Sequence, residues 1–301
     1  MPTPPRKSAA DFDPEVLRLF DRYVHGAIDR RGFLAGAARF AVAGTTAMGL
    51  FAALTPQFAA AQQVKSDDAR LSASYLEFAS PGGYGTGRGY LVRPARSTGT
   101  APVVLVVHEN RGLNPHIEDV ARRLALEGFI AFAPDALFPL GGYPGDEDRA
   151  RAEFTKLDQA RTRQDFLAAT DLLLKIEGGN GRLGVVGFCY GGGIAKFVAS
   201  QRPQVRAAAP FYGSPTPADE AAGIKADLLV VLADVDERVN TAWPAYRAAL
   251  EKAGVDYSLY QPPGTQHGFH NDTTPRYDEA AAREAWTRTL HLFNRTLRGP
   301  S

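Results

Sequence analysis

From about residue 70 onward the sequence predicts an α/β fold, a single domain with a mostly parallel sheet and helices on both faces. Three observations carry this. Short apolar, β-branched runs alternate with stretches whose apolar residues recur at helical spacing, as in strands joined by crossover helices. Pro102–His108 (PVVLVVH) is continuously apolar up to its last residue, as a strand buried on both faces must be. Residues 184–193, GVVGFCYGGG, take a strand directly into a helix through five glycines around the only cysteine. A chain of 301 residues suffices for such a domain plus an N-terminal extension.

The elements follow in order. Ser72–Ala79 and Gly89–Val92 read as an opening pair of strands, and Pro102–His108 as the first fully buried one. Asn114–Gly128 places Ile117, Val120, Ala121 and Leu124 on one helical face and stops at a glycine. The cycle repeats through strand Phe129–Ala133, helix Arg163–Ile176, strand Leu183–Gly187 and a helix from Tyr190. Strands at Val205–Ala209 and Leu228–Leu232, helix Thr241–Ala253, strand Tyr257–Tyr260 and helix Glu279–Leu297 complete it. In such a sheet ligands bind beyond the carboxyl ends of the strands, so chemistry is expected just after each strand.

Residues 1–64 read differently and are separated from the domain at 65–301. Asp29-Arg30-Arg31-Gly32-Phe33-Leu34 precedes an Ala/Gly-rich stretch, and Ala59-Ala60-Ala61 offers an A-x-A cleavage site before Gln62. This resembles a twin-arginine export signal, which predicts a periplasmic or secreted protein with export machinery as a partner. The competing expectation is a retained helical extension in a cytoplasmic protein. Arg39 interrupts the apolar region, and DPEVLRLFDRYVHGAI has helical periodicity of its own. Stable membrane insertion is not expected, since the uncharged run from Phe40 to Val64 is strongly apolar for only part of its length.

A net charge of +1 without runs of like charge gives no reason to expect nucleic acid as a partner. One cysteine excludes an internal disulfide framework and a multi-cysteine metal site. It leaves a buried apolar thiol or a reactive one.

Its setting favours the reactive one. Where a strand reverses at once into a helix, the apex residue is strained and side chains two positions either side would strike the crossing backbone, which accounts for Gly187 and Gly191. The pattern is G-x-nucleophile-x-G with Cys189 at the apex, at a helix N-terminus that favours a thiolate. Taken alone, GxCxG also describes a phosphate loop or a structural thiol.

A nucleophile needs a base and the base an orienting carboxylate, in the chain order nucleophile, acid, histidine. Asp236 lies three residues past strand LLVVLA, in competition with Asp234 and Glu237. His267 follows strand YSLYQ, in competition with His270. Glu109 follows PVVLVVH, in a loop that on this fold also supplies an oxyanion-hole N–H.

HENRGLNPHIEDVARRLA, GFCYGGG, DERVN and HGFHND, in this order, resemble the dienelactone hydrolase family, in particular a subgroup of bacterial hydrolases with the ENRGLN loop and an N-terminal leader. The resemblance covers about residues 70–297. It implies an α/β-hydrolase fold, a triad of Cys189, Asp236 and His267, and a Glu109 that holds the resting thiol and takes up its proton. The N–H groups of Tyr190 and Asn110 match the oxyanion hole, and no metal or organic cofactor is implied. The expected activity is carboxymethylenebutenolidase-like hydrolysis of small esters or lactones. The alternatives are a non-catalytic binding protein or a thiol redox protein on the same scaffold. Family members that hydrolyse dienelactone hold its carboxylate with two arginines, and the matching positions here, Pro134–Pro139 and Asn271, provide none. Arg111 or Arg276 is the expected substitute, in a pocket walled by Phe138, Tyr143 and Tyr212.

Overall fold

A computed structural model describes residues 7–41, 45–96, 99–213 and 216–298. Eight strands form one sheet in the order β1-β2-β4-β3-β5-β6-β7-β8: β1 (Leu71–Ser80), β2 (Gly85–Pro94), β3 (Ala101–Val107), β4 (Ile130–Pro134), β5 (Gly179–Phe188), β6 (Val205–Phe211), β7 (Asp227–Val231) and β8 (Tyr257–Tyr260). β1 and β2 pair antiparallel, β2 meets β4 antiparallel, and every pairing from β4 to β8 is parallel. The expected fold class is the one observed.

The continuous apolar run of β3 has its reason in the layers. Val103, Leu105 and Val107 face one core, while Val104 and Val106 face the other. The first core is closed by Phe166 and Leu173 of α7 (Gln159–Leu173), Ile194 and Val198 of α8 (Tyr190–Gln201) and Leu250 of α10 (Trp243–Ala253). The second is closed by Ile117, Val120 and Leu124 of α5 (Pro115–Leu126) and by Leu292 and Phe293 of α11 (Glu279–Leu297). Two short helices, α6 (Glu147–Phe154) and α9 (Glu237–Asn240), lie in the loops above the strand ends.

Some boundaries differ from expectation. β5 begins at Gly179 rather than Leu183, because Gly179 pairs with Ala101 despite a turn-like Gly-Asn-Gly sequence. α7 spans Gln159–Leu173 rather than Arg163–Ile176, because Asp158 caps its start. α6 was not expected from EDRARAEF, a stretch that buries only Ala150 and Phe154.

The N-terminal segment forms α1 (Pro14–Val24), α2 (Arg30–Ala37), α3 (Ala47–Leu54) and α4 (Phe58–Ala61). The first three share a core of their own, built on Val16, Phe20, Tyr23, Phe33, Phe51 and Leu54. Within it Asp29 and Arg30 have a local structural reason. Asp29 caps α2 by accepting from the Gly32 N–H at 2.7 Å, and Arg30 lies 4.5 Å over the Phe51 ring. The segment after α3 is tied to the sheet domain. Gln57 N–H donates to the Thr273 carbonyl at 2.8 Å, and the N–H groups of Gln63 and Val64 donate to the Asp119 carboxylate. Among the described residues no helix is long and apolar enough to cross a membrane.

Candidate active site

The chain leaves β5 and enters α8 through Cys189, whose φ of 54° and ψ of −112° are strained for a residue with a side chain. The flanking glycines are obligatory here. A Cβ on Gly187 would lie 2.0 Å from the Gly191 carbonyl oxygen, and one on Gly191 would lie 2.3 Å from that of Val107. Tyr190 is the first residue of α8, so its N–H has no acceptor within the helix and is free for an oxyanion.

The acid and the base are brought together by their own loops. Past β7 and β8, Val235 and Gln266 form a parallel bridge, with Val235 N–H donating to the Thr265 carbonyl at 2.9 Å. The next residue on each side is Asp236 and His267, and His267 Nδ1 meets Asp236 Oδ2 at 2.5 Å. Both are buried. The competitors have other work. Asp234 accepts from the Gly264 N–H at 2.8 Å and so shapes the histidine loop. His270 stacks on Phe188 in the core, and burial drives its pKa down to about 3.

The Cys189 sulfur, a ring nitrogen of His267 and a ring nitrogen of His25 all lie within 4.8 Å of one another. Nε2 of His267 is buried and has no other partner, as the nitrogen that carries the transferred proton requires. Burial alone would raise the thiol, but the charge of His267 and the hydrogen bonds of His25 and His267 bring Cys189 down to about 5. Burial likewise opposes a charge on His267, yet attraction to Cys189 and the bond to Asp236 push it up to about 10. The pair is poised as thiolate and imidazolium.

By its place in the sequence His25, like His108, His116 and His291, ranks below His267 and His270 as a candidate base, and a role beside the thiol was not expected of it. It follows α1, and its Nε2 lies 3.5 Å from the sulfur. The thiol is 4% exposed, and it opens onto a cavity of about 520 Å³ between the N-terminal helices and the sheet domain. Tyr23, Val24 and Phe51 line one side of this cavity, and Glu109, Arg111 and Tyr143 line the other.

The remaining expected residues are placed as follows. The 108–113 loop is fixed by the Ala136 N–H donating to His108 Nε2 at 3.1 Å and by Asp135 accepting from Leu113 N–H at 3.3 Å. Within it Glu109 lines the cavity, but its carboxylate accepts from Asn271 at 3.1 Å, and the group against the sulfur is His25. Asn110 and Arg111 line the cavity as well, while their side chains donate to the Val24 carbonyl at 3.1 and 3.3 Å. Arg276 is 3.5 Å from Asp21. Two expected wall residues are not in the wall. Phe138 lies under Arg88, 4.8 Å away, and Tyr212 is fully buried against the His267 ring at 4.9 Å. Among the described residues Tyr212 is, with Cys189, one of two non-glycine residues of positive φ, here 35°, and it packs against the His267 ring.

A family model described as Dienelactone hydrolase family matches residues 88–297. The chain belongs to the dienelactone hydrolase family. A second model, YqhI-like, matches residues 3–42. Among relatives, "Putative carboxymethylenebutenolidase" of Salmonella typhi is 36% identical over 223 residues, covering 68% of this chain and 81% of that protein. "Putative hydrolase fragment YghX" of Escherichia coli K12 is 56% identical over 106 residues, 35% of this chain and 91% of that one. A crystal structure of "Putative Dienelactone Hydrolase" from Klebsiella pneumoniae superposes with a TM-score of 0.66 at 28% identity, covering 74% of this chain and 99% of that one. The dienelactone hydrolase match begins at residue 88, so the N-terminal helices and their histidine lie outside it.

Proposed function

We propose that this dienelactone hydrolase family member cleaves small esters or lactones through a Cys189–His267–Asp236 triad and a thioester intermediate. The observation that carries this is a strained cysteine at a strand-to-helix bend beside a buried imidazole that is bonded at 2.5 Å to a buried carboxylate. The thiolate sulfur attacks the acyl carbon, and the resulting oxyanion is held by the N–H groups of Tyr190 and Asn110. Each such donor contributes on the order of 3 kcal/mol to lowering the barrier. The carbon–oxygen bond then breaks, and the leaving alkoxide takes the proton from His267 Nε2. Water next gives a proton to His267 and its oxygen to the thioester carbon, the carbon–sulfur bond breaks, and the thiolate returns.

The cavity points to an uncharged substrate. Arg111 and Arg276 already have partners in Val24 and Asp21, while Glu109, Asp146, Glu147 and Asp148 line the same space. A panel of p-nitrophenyl esters and lactones with wild type, Cys189→Ala and His267→Ala tests the triad. Loss of turnover in both variants is expected. Equal turnover in all three proteins leaves only the binding or redox alternatives.

For residues 1–64 we favour retention over cleavage at Ala61. Retention is supported by the separate aromatic core of α1–α3 and by the contacts of residues 57–64 with Asp119 and Thr273. Export is supported by the Arg30-Arg31 pattern and the A-x-A site. N-terminal sequencing of the protein from each compartment of its host separates the two: retention predicts a chain that still carries α1.

A further inference from the structure

We propose that His25, held by Asp21, is a positioning residue for the nucleophile: it reaches in from the N-terminal helices to hold the Cys189 sulfur as a thiolate beside His267. The inference rests on the thiol hydrolase reading above. It gives a cationic imidazole the task that the family resemblance assigns to Glu109.

The geometry is that of a second imidazole–carboxylate pair facing the sulfur from the opposite chain segment. His25 Nδ1 donates to the Asp21 backbone carbonyl at 2.8 Å and lies 3.2 Å from its carboxylate, which leaves Nε2 as the nitrogen facing Sγ at 3.5 Å. The His25 and His267 rings meet edge-on, 4.6 Å apart. Arg238 Nη2 lies 3.0 Å from His25 Nε2, so this nitrogen has two partners. Protonated, it donates to the thiolate. In its neutral form it accepts from Arg238 instead.

His25 does not plug the site. The cavity is lined by Val24, Cys189 and His267 but not by His25, so an acyl group reaches the sulfur from the cavity side while the imidazole flanks it. The helix that carries His25 is docked by fixed contacts. Its terminal carbonyls, Tyr23 and Val24, accept from Arg151, Arg111 and Asn110, and cations at a helix C-terminus are doubly favourable. Charges around the sulfur are matched. Asp21, Asp236 and the thiolate face His25, His267 and Arg238, with Arg276 beside Asp21 and with Glu109 and Arg111 along the cavity. The two imidazoles and the thiol are also a donor set that a soft metal ion uses, but Arg238 Nη2, 3.0 Å from His25 Nε2, crowds the nitrogen a metal would take.

The test uses the full-length protein and its single cysteine. Iodoacetamide alkylation is followed from about pH 4 to about pH 10 in wild type, His25→Gln, Asp21→Asn and His267→Gln. His25→Gln is expected to move the midpoint to higher pH, with the acid-side rate falling about tenfold for each pH unit the midpoint moves, and Asp21→Asn to do the same less strongly. Added imidazole should restore the acid-side rate of His25→Gly, which separates the chemistry of the ring from its packing. A His25→Gln profile that superimposes on wild type while that of His267→Gln moves overturns the proposal, as does a displaced His25→Gly profile that imidazole does not recover. Ester turnover is measured in parallel. A wild type that alkylates as expected but turns over no ester sinks the hydrolase reading and leaves the thiolate assignment standing.

Discussion

Removing the thiol and the imidazole together, in a Cys189→Ala/His267→Gln double variant, takes away two groups whose titrations are displaced in opposite directions. In the folded protein the thiol is brought from 9.0 to about 5 and the imidazole raised from 6.5 to about 10. Between about pH 6.5 and 9 the folded pair holds one proton, as imidazolium and thiolate, and the unfolded pair also holds one, as thiol and neutral imidazole. Stability contributed by the pair is therefore independent of pH in that window. Below 6.5 the unfolded pair binds a second proton while the folded pair does not until about pH 5. The depressed thiol thus makes stability fall with acid, by about 1.4 kcal/mol per pH unit and about 2 kcal/mol in all. Above 9 the unfolded pair has lost both protons while the folded imidazolium keeps one until about pH 10, so stability falls again, by about 1 kcal/mol. Equilibrium urea unfolding of wild type and double variant across this range gives the difference, which includes the part of the His25 and Asp21 shifts that depends on Cys189 and His267. The expected difference is a plateau with two falling shoulders. A difference equal at pH ~5.5 and pH ~8 would mean that the resting pair is neutral, and the ion-pair argument would fail.

Asp236→Asn should lower kcat on the order of 10²–10⁴-fold with KM little changed, since the carboxylate touches the base and not the cavity; steady-state kinetics on a p-nitrophenyl ester checks this. Gly187→Ala places a methyl 2.0 Å from a backbone oxygen and should cost about 3 kcal/mol of stability together with the low-pH reactivity of the thiol, read by urea unfolding and alkylation. Arg111→Ala should lower stability by about 2 kcal/mol, because the Val24 carbonyl loses its charged donor, while KM for a neutral ester is retained. Of two lactones alike except for an added carboxylate, the charged one should show no higher kcat/KM, and a clear preference for it would return Arg111 or Arg276 to substrate binding.

The parts of the site that were legible in the sequence are those in which covalent neighbours dictate the geometry. Gly187 and Gly191 flank Cys189 because the bend itself excludes a Cβ at each position. Asp236 and His267 each follow a parallel strand, so the sheet delivers both to the same edge as Cys189. Pattern alone could not choose between Asp236 and Asp234, because the decision lies in a bridge between two loops. Nor could it remove Phe138 and Tyr212 from the cavity wall. Aromatic residues just past β4 and β6 fit a wall equally well from sequence, and only packing turns Tyr212 beneath the histidine.

The N-terminal segment supports two readings, export and retention, for a physical reason. An arginine pair after an acidic residue and before small apolar residues satisfies an export signal, and it equally satisfies an Asp-capped helix start whose arginine stacks on a phenylalanine. Both use Asp29 and Arg30 in the same order. Retention is supported by a contact spanning 164 positions, His25 to Cys189, which no local periodicity encodes. A cleaved leader has no use for an imidazole beside the nucleophile, for a carboxylate holding that imidazole, or for three side chains of the sheet domain bonded to the helix end that presents it. If the segment acted only as a cover, a hydrophobic helix end over the cavity would serve as well. The polar contacts lie instead within reach of the sulfur, so a retained extension would serve the chemistry of Cys189 more than access to it.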